Sequence, residues 1–372
     1  MARRPFRVPR LGFEPYESLS DRPHVMVDGA ARASSVLTLS HWPASPTPPA
    51  LARDVSAESV LEYLRAVEST GSGRSLRRAS RGLQAAVASG ALAEAVTNDH
   101  FDEDGLISVY ALVDPDGALA RRELLVAVAM CGDFGIAADD VAARISFAIG
   151  PLAEAEAGSG SGTSERYEAV LPLVAELLQF PDRFERYWAA EAEQLDAGRA
   201  ALAAGEIEIA ELPELDLAVV SRSPLATSRG RVPGASGGLP VHAAAVHSVT
   251  KASRILAFDR EWAELYLRYE GWVRTVSRRV PLRPDLAPLA LRLSAEEPSG
   301  SAWEANGVGA IVGRLHPSGD GRTELDPARI LSVVGEYLTT AEPAWDPWRT
   351  GAAFIPPPER PGYTPRRRRA GR

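Results

Sequence analysis

An acidic turn carrying one imidazole, Asn98-Asp99-His100-Phe101-Asp102-Glu103-Asp104-Gly105, sits between a strand-like run and a helical pattern. It constrains the fold more than any other segment. Ala93 to Thr97 reads as a strand, and Leu106 to Leu112 as the opening turns of a helix that Pro115 ends. A strand that passes through a tight loop into a helix is the repeating step of α/β architectures, whose sites lie beyond the C-terminal ends of the strands. The expected fold is α/β, with a parallel-sheet N-terminal domain and a smaller α+β C-terminal domain.

The rest of the chain fits that architecture. Val36 to Leu39 is a short apolar run that stops at Ser40-His41-Trp42-Pro43 and reads as a buried strand. Ser56 caps a helix whose apolar face is Val60, Leu61 and Leu64. Further helices are expected from Ala118 to Met130, stopping at Gly132, and from Ala138 to Ile149. A long helical region from Thr163 to about Ala204 is interrupted at Pro181. Ile207 to Ile209, Leu215 to Val220, Ile255 to Phe258, Trp262 to Tyr269 and Trp272 to Val276 read as strands, and Asp285 to Ala295 and Pro327 to Leu338 as helices. The Pro/Gly/Ser-rich residues 224–238 read as the main boundary. The chain then divides into an extended arm (1–24), an α/β domain with a helical insertion (25–223), the α+β domain (239–340) and a disordered tail (341–372).

Composition narrows the function classes. The single cysteine, Cys131, excludes an intrachain disulfide framework and a thiolate metal cluster, and fits a cytoplasmic protein. No apolar run is long enough for a membrane span. A net charge of −8 argues against a stable duplex-DNA binder. The basic run Arg366 to Arg369, after Pro356-Pro357-Pro358, reads as a solvated terminus. Gly-x-Ser-x-Gly, P-loop and Rossmann glycine patterns are absent, so neither Ser40 nor Cys131 reads as a nucleophile.

In an extended loop alternate residues project to one side, so His100, Asp102 and Asp104 can converge on a divalent metal, with Asp99 and Glu103 facing away. An imidazole with two carboxylates suits Mn²⁺, Mg²⁺ or Zn²⁺. An EF-hand does not fit, because its bidentate glutamate position falls on Ala111 and a strand precedes the loop. His41 also ends a strand-like run, which places it at the same sheet edge as His100. His242 and His247 are further possible ligands from beyond the boundary at 224–238.

Residues Asn98 to Ser108 resemble the first motif of DHH phosphoesterases, whose strand ends in His-x-Asp-x-Asp-Gly and continues into a helix. His100, Asp102 and Asp104 match that motif. Leu265 to Arg279, followed by Arg283 to Ala290, is similar to the family's substrate-binding domain, although Trp303 to Gly309 lacks the histidine of its glycine-rich loop. No Asp-His-His segment occurs, and Asp133 is the stand-in for the family's middle aspartate. The chain also looks like an uncharacterised actinobacterial family sharing Ser-His-Trp-Pro and His-Phe-Asp-x-Asp-Gly. The first resemblance implies a metal-dependent phosphoesterase with Mn²⁺ or Mg²⁺ at His100, Asp102, Asp104 and Asp133. Its substrate would be a phosphorylated small molecule or a short oligonucleotide, with Arg268, Arg278 or Arg314 holding the phosphate. The alternatives are a non-catalytic ligand-binding or scaffold protein on a degenerate version of that fold, and an unrelated single-metal hydrolase using His41 and His100. Calorimetric titration is expected to show Mn²⁺ binding that Asp102→Ala and Asp104→Ala each weaken. Unchanged affinity in the double variant excludes the loop as a ligand source.

Overall fold

The computed structural model describes residues 10–71, 80–223, 239–259, 261–298, 300–319, 321–349 and 353–355. These fall into two compact units. The first takes the described residues up to Asp196 together with Thr275–Arg278; the second takes Ala197–Arg274 and the chain from Arg279 on.

In the first unit the strands are β1 (Gly12–Phe13), β2 (His24–Val27), β3 (Ser35–Leu39) and, after helices α1 (Ser56–Gly71) and α2 (Arg81–Gly90), β4 (Ala95–Thr97). They form a four-stranded sheet in the order β1-β4-β2-β3, and every neighbouring pair is parallel. Val25, Met26, Val27, Leu39 and Val96 are buried, as expected for parallel strands covered on both faces. His24 is buried too: its Nδ1 lies 2.9 Å from the Arg22 carbonyl and its Nε2 2.7 Å from Ser35 Oγ, which ties the start of β2 to β3. Gly12–Phe13 pairs with Ala95–Val96, so the expected N-terminal arm contributes an edge strand instead.

Helices follow from β4 onward: α3 (Glu103–Val113), α4 (Pro115–Ala120), α5 (Arg122–Phe134), α6 (Asp140–Ala157), α7 (Thr163–Val170), α8 (Val174–Gln179) and α9 (Glu185–Ala203). α1, α3 and α5 pack on one another. The interruption expected at Pro181 is a 3-10 turn over Pro181–Phe184. α5 runs through Gly132 and stops at Gly135, whose φ of 64° is the left-handed C-cap conformation that glycine adopts without strain.

The second unit is built on a six-stranded mixed sheet. Its strands are β5 (Ile207–Leu212), β6 (Leu217–Arg222), β7 (Arg254–Asp259) and β8 (Trp262–Leu267), then β9 (Arg283–Pro284), β10 (Trp303–Ala305), β11 (Gly313–Pro317) and β12 (Pro343–Trp345). The large sheet has the order β10-β11-β8-β7-β6-β5, and β9 pairs with β12 separately. Among the described residues its helices are α10 (Ala243–His247), α11 (Ala287–Glu296) and α12 (Pro327–Thr340), beside the end of α9. Alternation along the strands sorts the core. Leu256, Phe258 and Leu265 face α11 and α12, whereas Ile255, Ala257 and Tyr266 face α10 and the end of α9. The chain is thus an α/β protein with a parallel N-terminal sheet and a mixed sheet later.

Three further expectations shift. β5 and β6 belong to the second sheet, so the division falls inside α9, ahead of residues 224–238, which lie outside the described residues. Trp272 to Val276 is no strand. A 3-10 turn over Tyr269–Gly271 leads into Trp272, which stacks between Tyr269 and Trp345 and donates its indole N–H to the Gly309 carbonyl. Pro343–Trp345 is a paired strand at the start of the expected disordered tail, and Arg366 to Arg369 lie outside the described residues.

The contact of α3 with α5 leaves no space at Gly132, where an added Cβ would lie 2.4 Å from Glu103 Cβ. Gly132→Ala is therefore expected to push the helices apart and cost about 1–3 kcal/mol, read by urea denaturation. A variant as stable as the parent would contradict this packing.

Candidate metal centre

Register brings three strand ends to one edge. Val27 pairs with Leu39 and Met26 with Thr97, so Asp28, Ser40-His41 and Asn98-Asp99-His100 emerge side by side beyond the C-terminal ends of β2, β3 and β4. Asp28 opens the short connection 28–34 with φ of 44°, a left-handed conformation that aspartate tolerates better than most residues. Its carboxylate lies between two imidazoles. His41 Nε2 is 3.3 Å from Asp28 Oδ1, and His100 Nε2 is 3.2 Å from Asp28 Oδ2.

Two groups of ligand-type atoms share this carboxylate. Asp28, His41 and Asp104 form one and Asp28, His100 and Asp102 the other, each with its donor atoms within 4.8 Å of one another. These residues could hold a metal ion. Asp133, from α5, lies beside the first group, with Oδ2 3.3 Å from His41 Nε2. The first group is buried, whereas the side chains of His100 and Asp102 are 28% and 31% exposed. Oδ2 of Asp28 and Oδ2 of Asp133 are buried, and they face His100 Nε2 at 3.2 Å and His41 Nε2 at 3.3 Å respectively.

Each imidazole is fixed through its other nitrogen. His41 Nδ1 donates to the Asp54 carbonyl at 2.6 Å, and His100 Nδ1 donates to Asp99 Oδ1 at 3.0 Å. Both Nε2 atoms therefore point at the shared carboxylate, an orientation that backbone or carboxylate acceptors impose on metal-binding histidines. Asp99 reaches its place because residue 29 is glycine; a Cβ there would lie 2.7 Å from Asp99 Oδ1. The start of α1 holds the acids. Ser56 N and Ala57 N each donate to the Asp104 carboxylate at 2.7 Å, and Ser56 Oγ donates to Asp28 Oδ1 at 2.6 Å. Asp102 caps α3, its Oδ1 accepting from Gly105 N at 2.8 Å. Tyr167 walls the loop, stacked on Phe13 and edge-on to Phe101.

The charges are strongly coupled. Burial opposes ionisation of Asp28, yet hydrogen bonds from His100 and His41 hold its carboxyl well below the usual range. Burial likewise opposes charging of His41 and His100. The carboxylates around them nevertheless raise both imidazoles, Asp28 acting on His41 and Asp102, Asp28 and Asp99 on His100. Asp104 is pushed up to about 8 by burial and then by the Asp28 charge. Burial, followed by the Asp104 charge, raises Asp133 well above the usual carboxyl range. Glu103 is pushed up to about 7 by burial beside Asp102.

The loop does not act as an extended strand with three ligands on one side. α3 begins at Glu103, so Asp104 turns inward with the helix toward His41, while Asp102 stays outside with His100. Asp28 joins the two groups, and sequence reasoning missed it. The available signal was Val25-Met26-Val27-Asp28-Gly29, an apolar run closed by Asp-Gly at a strand end. Among the other candidates, His242 caps α10 by accepting from Ala244 N, and His247 Nε2 lies 2.8 Å from Tyr266 Oη. Both are engaged within the second unit's own packing. Arg268 is buried against Glu270 at 2.6 Å, and the part-exposed Arg314 pairs with the buried Glu264 at 2.5 Å, so each already has a carboxylate partner within that unit. Arg278 lies half-buried in Thr275–Arg278.

Fold and site together define an α/β protein with a buried histidine–aspartate cluster able to accept a cation at the C-terminal edge of a parallel sheet. The chain belongs to DUF6687, a family of unknown function, whose profile matches residues 9–349. Comparison with curated proteins and with solved structures finds no match. Among the described residues, no helix is long and apolar enough to cross a membrane.

The raised groups give the metal-free protein a definite pH response. Asp104, Asp133, His41 and His100 all bind protons more tightly folded than unfolded, so their stabilisation is lost as pH rises through the folded values. Asp28 acts oppositely, but its contribution is complete once pH exceeds the usual carboxyl range. Thermal unfolding in chelator is therefore expected to show stability falling from mildly acidic pH up to about 8. Stability that rises over this window would contradict the proton-holding state of the cluster.

Proposed function

We propose that this chain is a metal-dependent hydrolase of phosphoester or phosphoanhydride bonds, with Mn²⁺ or Mg²⁺ as its ion. The observation that carries this reading is the Asp28 carboxylate set between two imidazoles, each with Nε2 turned inward and Nδ1 tied outward. Mixed imidazole and carboxylate donors at this density suit Mn²⁺, and Mg²⁺ to a lesser degree. The resemblance of Asn98 to Ser108 to the DHH motif supports the reaction class.

Bound there, divalent ions would lower the pKa of a coordinated water and neutralise charge on phosphoryl oxygens. The chain's own residues divide the remaining work. Asp28, His41, Asp104 and Asp133 would seat one ion out of contact with solvent. Asp28, His100 and Asp102 would hold a second position open to solvent on the His100–Asp102 side, where a substrate can approach. Asp99, by accepting from His100 Nδ1, would leave Nε2, which faces Asp102 Oδ2 at 2.8 Å, as the nitrogen that ligates. Trp42, with its ring centroid 4.9 Å from that of His100, flanks the open side.

With Mn²⁺, the purified chain is expected to hydrolyse a generic phosphodiester or a short oligonucleotide, and Asp28→Asn and Asp104→Asn to abolish turnover. Mn²⁺ uptake without turnover of any phosphate ester would replace catalysis with the non-catalytic binding reading. Lack of Mn²⁺ uptake would overturn both.

A further inference from the structure

We propose that Asp54 is a positioning residue of this centre, and that the distant segment Thr275–Arg278 fixes the buried metal ligands by holding Asp54 in place. This rests on the reading above that Asp28, His41 and Asp104 bind a metal.

Residues 54–57 touch Asp28, His41 and Asp104, the three ligand residues of the buried group. The Asp54 carbonyl accepts from His41 Nδ1, Ser56 N and Ala57 N donate to Asp104, and Ser56 Oγ donates to Asp28. Ser56 Oγ also accepts from the His41 backbone N–H at 3.1 Å. Among the described hydrogen bonds none from this turn reaches His100 or Asp102. The turn therefore braces the buried group and meets the open one only through the shared Asp28.

What fixes the turn itself comes from 222 residues away. The Asp54 carboxylate accepts from Val276 N at 2.5 Å, from Ser277 N at 2.8 Å and from Ser277 Oγ. Thr275 Oγ1 donates to the Arg278 carbonyl at 3.1 Å, closing the segment so that successive N–H groups face one anion. These four residues form part of the first unit, although the chain before and after them belongs to the second. Three donors on one carboxylate make a charge-assisted clamp, stronger than a neutral hydrogen bond of the same length. Loss of the clamp frees Asp54, and with it the carbonyl that sets the His41 tautomer and ring angle.

The test is Mn²⁺ titration of the full-length chain, wild type against Asp54→Ala, Ser277→Ala and Ser277→Thr, read by electron paramagnetic resonance. The His41 Nδ1 proton is followed in parallel by nuclear magnetic resonance. Asp54→Ala is expected to weaken Mn²⁺ binding by about 10-fold or more, as for loss of outer support to a metal ligand. It should also speed solvent exchange of the His41 Nδ1 proton. Ser277→Ala should move both readouts the same way by a smaller amount, and Ser277→Thr, which keeps the hydroxyl, should restore them. If Asp54→Ala does not fold, the Ser277 pair carries the test. Affinity and proton exchange matching wild type in the folded variants would overturn the positioning role while leaving the metal reading intact. A wild-type chain that takes up no Mn²⁺ would overturn both.

Discussion

A carboxylate buried beside other carboxylates must be compensated, and Asp28 is the residue on which that compensation turns. Removing an ionised carboxylate from water is expensive unless it is paired and hydrogen-bonded. Here two imidazoles and the Ser56 hydroxyl surround it, while Asp104 and Asp133 crowd the same space and are driven toward their protonated forms. The surrounding architecture meets that need. Three parallel strands end in register to deliver Asp28, His41 and His100, and the amides opening α1 receive Asp104. α5 arrives with Asp133 because Gly132 lets it pass close to Glu103.

The two groups that share Asp28 are unequal in a way that bears on chemistry. An ion enclosed by Asp28, His41, Asp104 and Asp133 would exchange slowly and hold the strand ends together, as metals bound to the folded form alone do. The side formed by His100 and Asp102 is where water and ligands can come and go. Asp99 and Trp42 border that open side through their contacts with His100.

Much of this was legible in the sequence, and the parts that were not have physical reasons. Val36 to Leu39 and Ala93 to Thr97 showed as strands because β-branched runs closed by polar residues are local signals. Those two strands placed His41 and His100 on one edge. Asp28 stayed hidden because β2 is only four residues long and follows a stretch without periodicity. The grouping of ligands departs from alternate loop spacing because Glu103 and Asp104 are helical. Acidic residues at a helix start are favoured by the helix dipole, and here they are the first turn of α3. Asp54 and residues 275–278 lie far apart in the chain, and no local pattern announces such a contact. β5 and β6 were visible as strands, but their sheet partners were not, since pairing across 224–238 is a tertiary choice.

The link between β2 and β3 has a consequence for how such a chain can vary. Parallel neighbours usually need a dozen or more connecting residues, yet here residues 28–34 suffice, with Asp28 itself making the first turn in a left-handed conformation. A connection with so little slack transmits any change of length to its first residue. Loops elsewhere on this molecule can lengthen at a cost of only a few tenths of a kcal/mol, rising to about 0.6 kcal/mol when the length doubles. An insertion or deletion between Gly29 and Ser34 would instead rotate the carboxylate that both imidazoles face. This stretch should therefore keep its length across homologous chains even where its residue types drift, an evolutionary rigidity of spacing rather than of sequence.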